Sequence, residues 1–142
     1  MERKLSTIFA SDVVGFSKMM GQNEENTLKI LEERKELIEA LVYEHSGSIF
    51  GGAGDSVIAE FASPVKATEC AVKVQEKMIN LNDKTSEEKK MTFRIGINFG
   101  DVMISDGNLF GDAVNVASRL ESAAQPSGIC ISKQVFDLIS QK

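Results

Sequence analysis

The sequence predicts an α+β domain built on an antiparallel-rich sheet, and three observations carry that prediction. Phe93, Ile95, Ile97 and Phe99 alternate with polar or small residues, the period of a strand with one apolar face. Two long segments, residues 24–45 and 64–81, repeat their apolar residues at helical spacing. Between them, residues 48–50 and 56–61 are short β segments around a glycine-rich turn, the pattern of a hairpin.

The elements follow in order. Residues 5–11 alternate weakly and read as a strand buried on at least one side, ending at Asp12-Val13-Val14-Gly15-Phe16-Ser17. The helix over 24–45 carries Leu28, Leu31, Ile38, Leu41 and Val42 on one stripe, with Glu32, Glu33, Lys35, Glu36 and Glu39 outside it. Gly47 stops it, and His45 sits where a cation suits the helix dipole. After the hairpin, Ser63-Pro64 supplies an N-cap and a first-turn proline for a helix with Val65, Cys70, Ala71, Val74, Met78 and Leu81 inward. Residues 82–90 are a charged loop. The alternating strand over 93–99 turns at Gly100-Asp101 into Val102-Met103-Ile104, and residues 105–112 form a loop. A helix over 113–124, with Val114, Ala117, Leu120 and Ala124 as its apolar stripe, ends at Pro126-Ser127-Gly128. A short strand over 129–131 and a helix capped by Ser132 complete the chain. The order is β-α-β-β-α-β-β-α-β-α. Its first six elements have the split βαβ, ferredoxin-like order, with helices expected on one face of the sheet.

Composition excludes several classes. The 142 residues fit one domain, and 42% hydrophobic with 26% charged residues argues against disorder. A net charge of −5 argues against a nucleic-acid partner. The longest apolar run, residues 40–43, is too short for a membrane segment, and the amino terminus lacks a signal-peptide core. Cys70 and Cys130 lack metal-type spacing and are expected as buried free thiols. The expected location is cytoplasmic.

Two constellations could carry chemistry. Asp12 closes the first strand and Asp55 lies in the hairpin tip, so a ferredoxin-like sheet could bring both to one corner. Two hard oxygen donors there suit Mg²⁺ or Mn²⁺, and the amides of residues 13–17 precede a helical region, a setting that favours phosphate oxygens. Asn115 and Arg119 are four apart and project from one helix face, where they could meet a sugar and a phosphoryl oxygen.

Four ordered stretches carry a family resemblance: Phe9-Ala10-Ser11-Asp12-Val13-Val14-Gly15-Phe16-Ser17; Gly54-Asp55-Ser56-Val57-Ile58-Ala59-Glu60-Phe61; Arg94-Ile95-Gly96-Ile97-Asn98-Phe99-Gly100; and Gly111-Asp112-Ala113-Val114-Asn115-Val116-Ala117-Ser118-Arg119-Leu120. Together they strongly resemble the class III adenylyl/guanylyl cyclase catalytic domain. The resemblance implies two Mg²⁺ or Mn²⁺ per site, held by Asp12, Asp55 and the Val13 carbonyl. It implies a phosphate-binding turn at Gly15, Phe16 and Ser17, with the Phe16 and Ser17 amides on the β- and γ-phosphates. Asn115 matches the residue that positions the ribose, and Arg119 the residue that stabilises the transition state. It further implies a head-to-tail homodimer whose two sites each combine one subunit's metal corner with the other's Asn/Arg helix. The products would be a 3′,5′-cyclic nucleotide and pyrophosphate, with ATP as the leading substrate.

The chain departs from the family pattern in three respects. Gly51 replaces the usual adenine-reading lysine, and Asn108 replaces its aspartate partner, which leaves base choice open. Family domains also continue into a further hairpin that carries a triphosphate-binding lysine, whereas this chain stops at Lys142. Residues 1–142 are therefore expected to be one truncated catalytic domain, with a regulatory domain elsewhere on a full-length chain. Three readings stand at this stage: a cyclase acting on ATP, a cyclase preferring GTP or a pyrimidine triphosphate, and an inactive dimerisation or nucleotide-sensing module.

Overall fold

The structure is a computed structural model that describes residues 2–141. Its elements are β1 (Glu2–Val13), α1 (Phe16–Gln22), α2 (Glu24–Glu44), β2 (Gly47–Ile49), β3 (Val57–Phe61), α3 (Pro64–Asp83), β4 (Phe93–Ser105), β5 (Asn108–Phe110), α4 (Asp112–Ala123), β6 (Ile129–Ile131) and α5 (Lys133–Ile139). A single 3₁₀ turn, Glu87–Lys89, lies between α3 and β4.

The sheet runs β2-β3-β1-β4-β5, all antiparallel, and β6 adds in parallel to β4. The order β2-β3-β1-β4 is the ferredoxin-like one. At its centre β1 and β4 pair along their whole length, from Glu2↔Ile104 to Val13↔Phe93.

Strand alternation divides the interior in two. Phe9 and Val13 of β1 join Phe93, Ile95 and Ile97 of β4 and the inward residues of α2 and α3, among them Ile38, Val42, Ala71 and Val74, in the larger core. On the other face Ile8, Ala10 and Val102 meet Ala113 and Ala117 of α4. The helices therefore do not all share one face. α4 lies opposite α2 and α3 because β1 is buried on both sides from Ser6 to Ser11, which explains its weak alternation.

Local signals act largely as read. Ser63 caps α3 by accepting from the Lys66 amide at 3.1 Å, and Ser132 caps α5 by accepting from that of Val135 at 3.2 Å. His45 Nδ1 lies 2.7 Å from the Leu41 carbonyl and so donates to an end-of-helix oxygen. Other details differ. Gly100-Asp101 is not a turn, since β4 passes through it paired with β1. α1 forms ahead of the long helix in a stretch that was given no element of its own, β5 forms where a loop was expected, and Leu28 and Leu81 are exposed rather than inward. Cys70 is buried, and burial, followed by the charge of Glu44, pushes its thiol up to about 12. Cys130 is only partly buried, and both thiols are free. Among the described residues no helix is long and apolar enough to cross a membrane.

Candidate active site

Register brings Asp12 and Asp55 to the same end of the sheet. β1 and β3 pair antiparallel with Ser11 opposite Val57, so two positions further along residue 55 falls opposite Val13. There the Asp55 Oδ2 accepts the Val13 amide at 2.9 Å. The loop before Asp55 depends on glycine. Gly51 and Gly52 have φ of 111° and 114°, and a Cβ on Gly52 would lie 2.3 Å from the Ser56 carbonyl oxygen. Ala53 and Ser56 close the turn, with the Ser56 hydroxyl accepting the Ala53 amide at 3.0 Å.

Asp12 follows Ile8 and Ala10 on the α4 side of the sheet, one residue from Val13 on the other side. Directly across the β1–β4 ladder stands Arg94. Its fork grips both carboxylate oxygens of Asp12, Nε to Oδ1 at 3.2 Å and Nη2 to Oδ2 at 2.9 Å. Its Nη1 donates to the Ser122 carbonyl at 3.0 Å, and Nη2 lies 3.7 Å from Glu121 Oε2. The bond to Asp12 and the charges of Asp12, Glu121 and Asp55 outweigh burial and raise the Arg94 pKa. The guanidinium thus senses both aspartates.

α4 can approach this corner because of Gly96. A Cβ there would lie 2.3 Å from both the Ala117 carbonyl oxygen and the Glu121 amide nitrogen, so the helix rests on bare strand backbone. The inward positions of α4 are Ala113, Ala117 and Glu121, a register centred between the expected Val114, Ala117, Leu120 and Ala124. Burial, reinforced by the Asp12 carboxylate and opposed by Arg94 and Ser122, pushes the Glu121 carboxyl up to about 7. Neither Arg94 nor Glu121 was picked out from sequence. Arg94 has a signal in the polar phase of an alternating strand; Glu121 has none short of the helix register.

The raised value has a sign. A folded state that holds the Glu121 proton better than the unfolded chain gains stability in acid and loses it as pH rises through about 7. Glu121→Gln keeps the shape without the charge. Its thermal midpoint is therefore expected to pull ahead of the parent's between pH 5.5 and 8, and equal slopes in calorimetry would contradict this.

The remaining expected residues lie apart. Gly15 takes the left-handed conformation, φ 66°, at the start of α1, whose first turn has no side-chain cap, so the Phe16 and Ser17 amides are helix-end donors. The Val14 amide, bonded to the Thr92 carbonyl at 2.8 Å, pins that turn to the strand before β4. Asn115 and Arg119 occupy the outer face of α4, exposed, with Arg119 Nη2 3.9 Å from Asp112 Oδ1. They point away from the side of α4 that covers Asp12. Gly51 lies between β2 and β3, and Asn108 begins β5, at opposite edges of the sheet. Within one chain they do not meet.

The donor set fits a hard divalent cation. Asp12 and Asp55 supply carboxylate oxygens at one corner, and Asp12 already holds a cationic partner in Arg94. Among the described residues no group of three or more His, Cys, Asp or Glu side chains forms a closed metal cage.

Fold and acidic corner define a class first: a ferredoxin-like α+β domain with hard-metal donors at the end of its central strand. Comparison with known proteins narrows it. Residues 2–142 match the family model described as the adenylate and guanylate cyclase catalytic domain, and the chain belongs to that family. A Rhizobium meliloti (strain 1021) protein with the provisional name adenylate cyclase 3 is 41% identical over 140 residues, covering 98% of this chain and 24% of its own length. An adenylate cyclase of Streptomyces coelicolor is 35% identical over 132 residues, covering 92% of this chain and 33% of its own length. The chain thus spans a third or less of these relatives. The solved adenylate/guanylate cyclase/hydrolase from Silicibacter pomeroyi superposes with a TM-score of 0.91 at 38% identity, over 99% of this chain and 82% of that one.

Proposed function

We propose that this chain is a nucleotidyl cyclase domain that converts a nucleoside triphosphate, foremost ATP, to a 3′,5′-cyclic nucleotide and pyrophosphate in a head-to-tail homodimer. One observation carries the reading: Asp12 and Asp55 gather at one corner, while Asn115 and Arg119 face outward from the far side of the helix that covers it. A single chain separates these groups; a second, reversed copy offers its α4 to the first copy's corner. Asp12, Asp55 and the Val13 carbonyl hold the divalent ions. When bound, these neutralise the triphosphate and lower the pKa of the ribose 3′-hydroxyl. The Gly15 turn orients the β- and γ-phosphates through the Phe16 and Ser17 amides. Asn115 from the other copy fixes the ribose, and Arg119 meets the charge that grows on the α-phosphoryl oxygens.

Base selection rests on Gly51 and Asn108. Glycine offers no side chain, and Asn108 can both donate and accept, so an incorrect base leaves few buried polar groups unpaired. The direct test incubates the chain with Mn²⁺ and each of four nucleoside triphosphates and assays cyclic products and pyrophosphate. Cyclic AMP is expected as the main product, with GTP turned over within about tenfold of ATP. No cyclic product from any of the four, even from a chain extended by the family's carboxy-terminal hairpin, would reject the enzyme and favour the inactive module.

A further inference from the structure

We propose that Glu121 is a positioning residue for the cation corner: it takes over as the counter-charge of Arg94 when a divalent ion claims Asp12. The inference rests on the reading of Asp12 and Asp55 as metal ligands and adds a residue which that reading does not use.

The geometry sets the problem. Arg94 takes one lone pair on each oxygen of Asp12, at 3.2 and 2.9 Å, so a cation that binds through that side of the carboxylate must displace the fork. A guanidinium set free beside a divalent ion would be repelled, in a corner where its side chain and that of Asp12 are only 27% and 22% exposed. It needs another anion within reach. Glu121 Oε2 stands 3.7 Å from Nη2, the nitrogen that makes the shorter bond to Asp12. The Ser122 carbonyl holds Nη1 at 3.0 Å and supplies a fixed point about which the planar fork can turn from one carboxylate to the other. Glu121 is itself confined. Its carboxylate accepts from the Ser122 hydroxyl at 3.3 Å, and Gly96 lets its backbone lie against β4.

Removing the charge of Glu121 leaves Asp12 as the sole carboxylate bonded to Arg94. A divalent ion must then compete for Asp12 against a guanidinium whose other partner, the Ser122 carbonyl, carries no charge. The dependence runs through Arg94, and this separates it from a simple loss of negative field.

The test measures Mn²⁺ affinity by electron paramagnetic resonance at pH 8. It uses the whole chain with a 3′-deoxynucleoside triphosphate, which cannot cyclise, so turnover plays no part. Glu121→Gln is expected to weaken Mn²⁺ about tenfold, with a thermal midpoint no lower than the parent's. Glu121→Asp, which keeps the charge, is expected to recover part of the loss. Arg94→Gln removes the competitor and is expected to tighten Mn²⁺, and Glu121→Gln added to it should then change affinity less than about twofold. Equal Mn²⁺ affinity in parent and Glu121→Gln would overturn the proposal and leave the metal reading standing. So would an undiminished tenfold effect in the Arg94→Gln background, since Glu121 would then act only through its field. A parent chain that binds no Mn²⁺ under these conditions would overturn both.

Discussion

Asp55→Asn and Arg119→Ala chains, each purified alone, are expected to lose cyclase turnover by about 10²-fold or more, and an equal mixture of the two is expected to regain about a quarter of parental activity. The reason is where the residues stand. Asp55 is bonded to the Val13 amide at the corner proposed to hold the metal, and Arg119 is exposed on the outer face of α4. If each site draws one group from each copy, a mixed dimer contains one doubly damaged site and one intact site. Random exchange makes half the dimers mixed, which gives the quarter. Asn at position 55 can still accept the Val13 amide, so the strand end keeps its hydrogen bond and the change tests charge rather than folding. Among the described residues Arg119 pairs with exposed Asp112 at 3.9 Å, and its removal should cost little stability. Two inactive variants that form mixed dimers and still show no recovery would reject the shared site.

The second large effect belongs to a residue with no chemistry. Gly96→Ala is expected to lower stability by about 3 kcal/mol, at the upper end of what overpacking usually costs. The added Cβ would lie 2.3 Å from two backbone atoms of α4, and main chain cannot step aside as a flexible side chain can. The helix must lift, which loosens Glu121 over Arg94 and re-aims Asn115 and Arg119 together. Cyclase activity should therefore fall by more than the loss of folded protein explains. Gly21→Ala is the matched control. It lies in α1 with nothing within 4 Å of the added Cβ, and should gain about 0.5–1 kcal/mol from helix propensity. Thermal denaturation of the two variants measures the contrast, and equal midpoints would contradict it.

How much could be read beforehand depended on whether a signal was local. The alternation of Phe93 to Phe99, the Ser63-Pro64 start and the Ser132 cap are satisfied by near neighbours, and the structure keeps them. The corner required one long-range fact, the β1–β3 register, but a hairpin following a helix leaves few places for β3. Asp55 beside Val13 was therefore within reach. What escaped depends on two elements touching. β4 runs through Gly100-Asp101 because β1 is long enough to pair beyond it, and no residue near Gly100 announces that length. The inward register of α4 ends on Glu121, a charge that periodicity assigns to solvent. It is buried only because Gly96, far off in sequence, leaves room for it and Arg94 stands beside it. The opposite-face placement of α4 follows from the same cause, since a strand buried on both sides reads as poorly patterned.

Asp12 and Val13 are neighbours in sequence yet face opposite sides of the sheet, and this has an evolutionary corollary. The larger core, with Ile38, Val42 and Val74, lies on one side of that wall, and the smaller cluster under α4, beside the Asp12 carboxylate, on the other. Drift among the former alters mainly how much protein survives in a cell, whereas drift among the latter, as at Gly96, alters survival and the proposed chemistry together. A lineage can thus harden this domain against heat, or soften it, through the larger core while its chemistry evolves on a separate schedule.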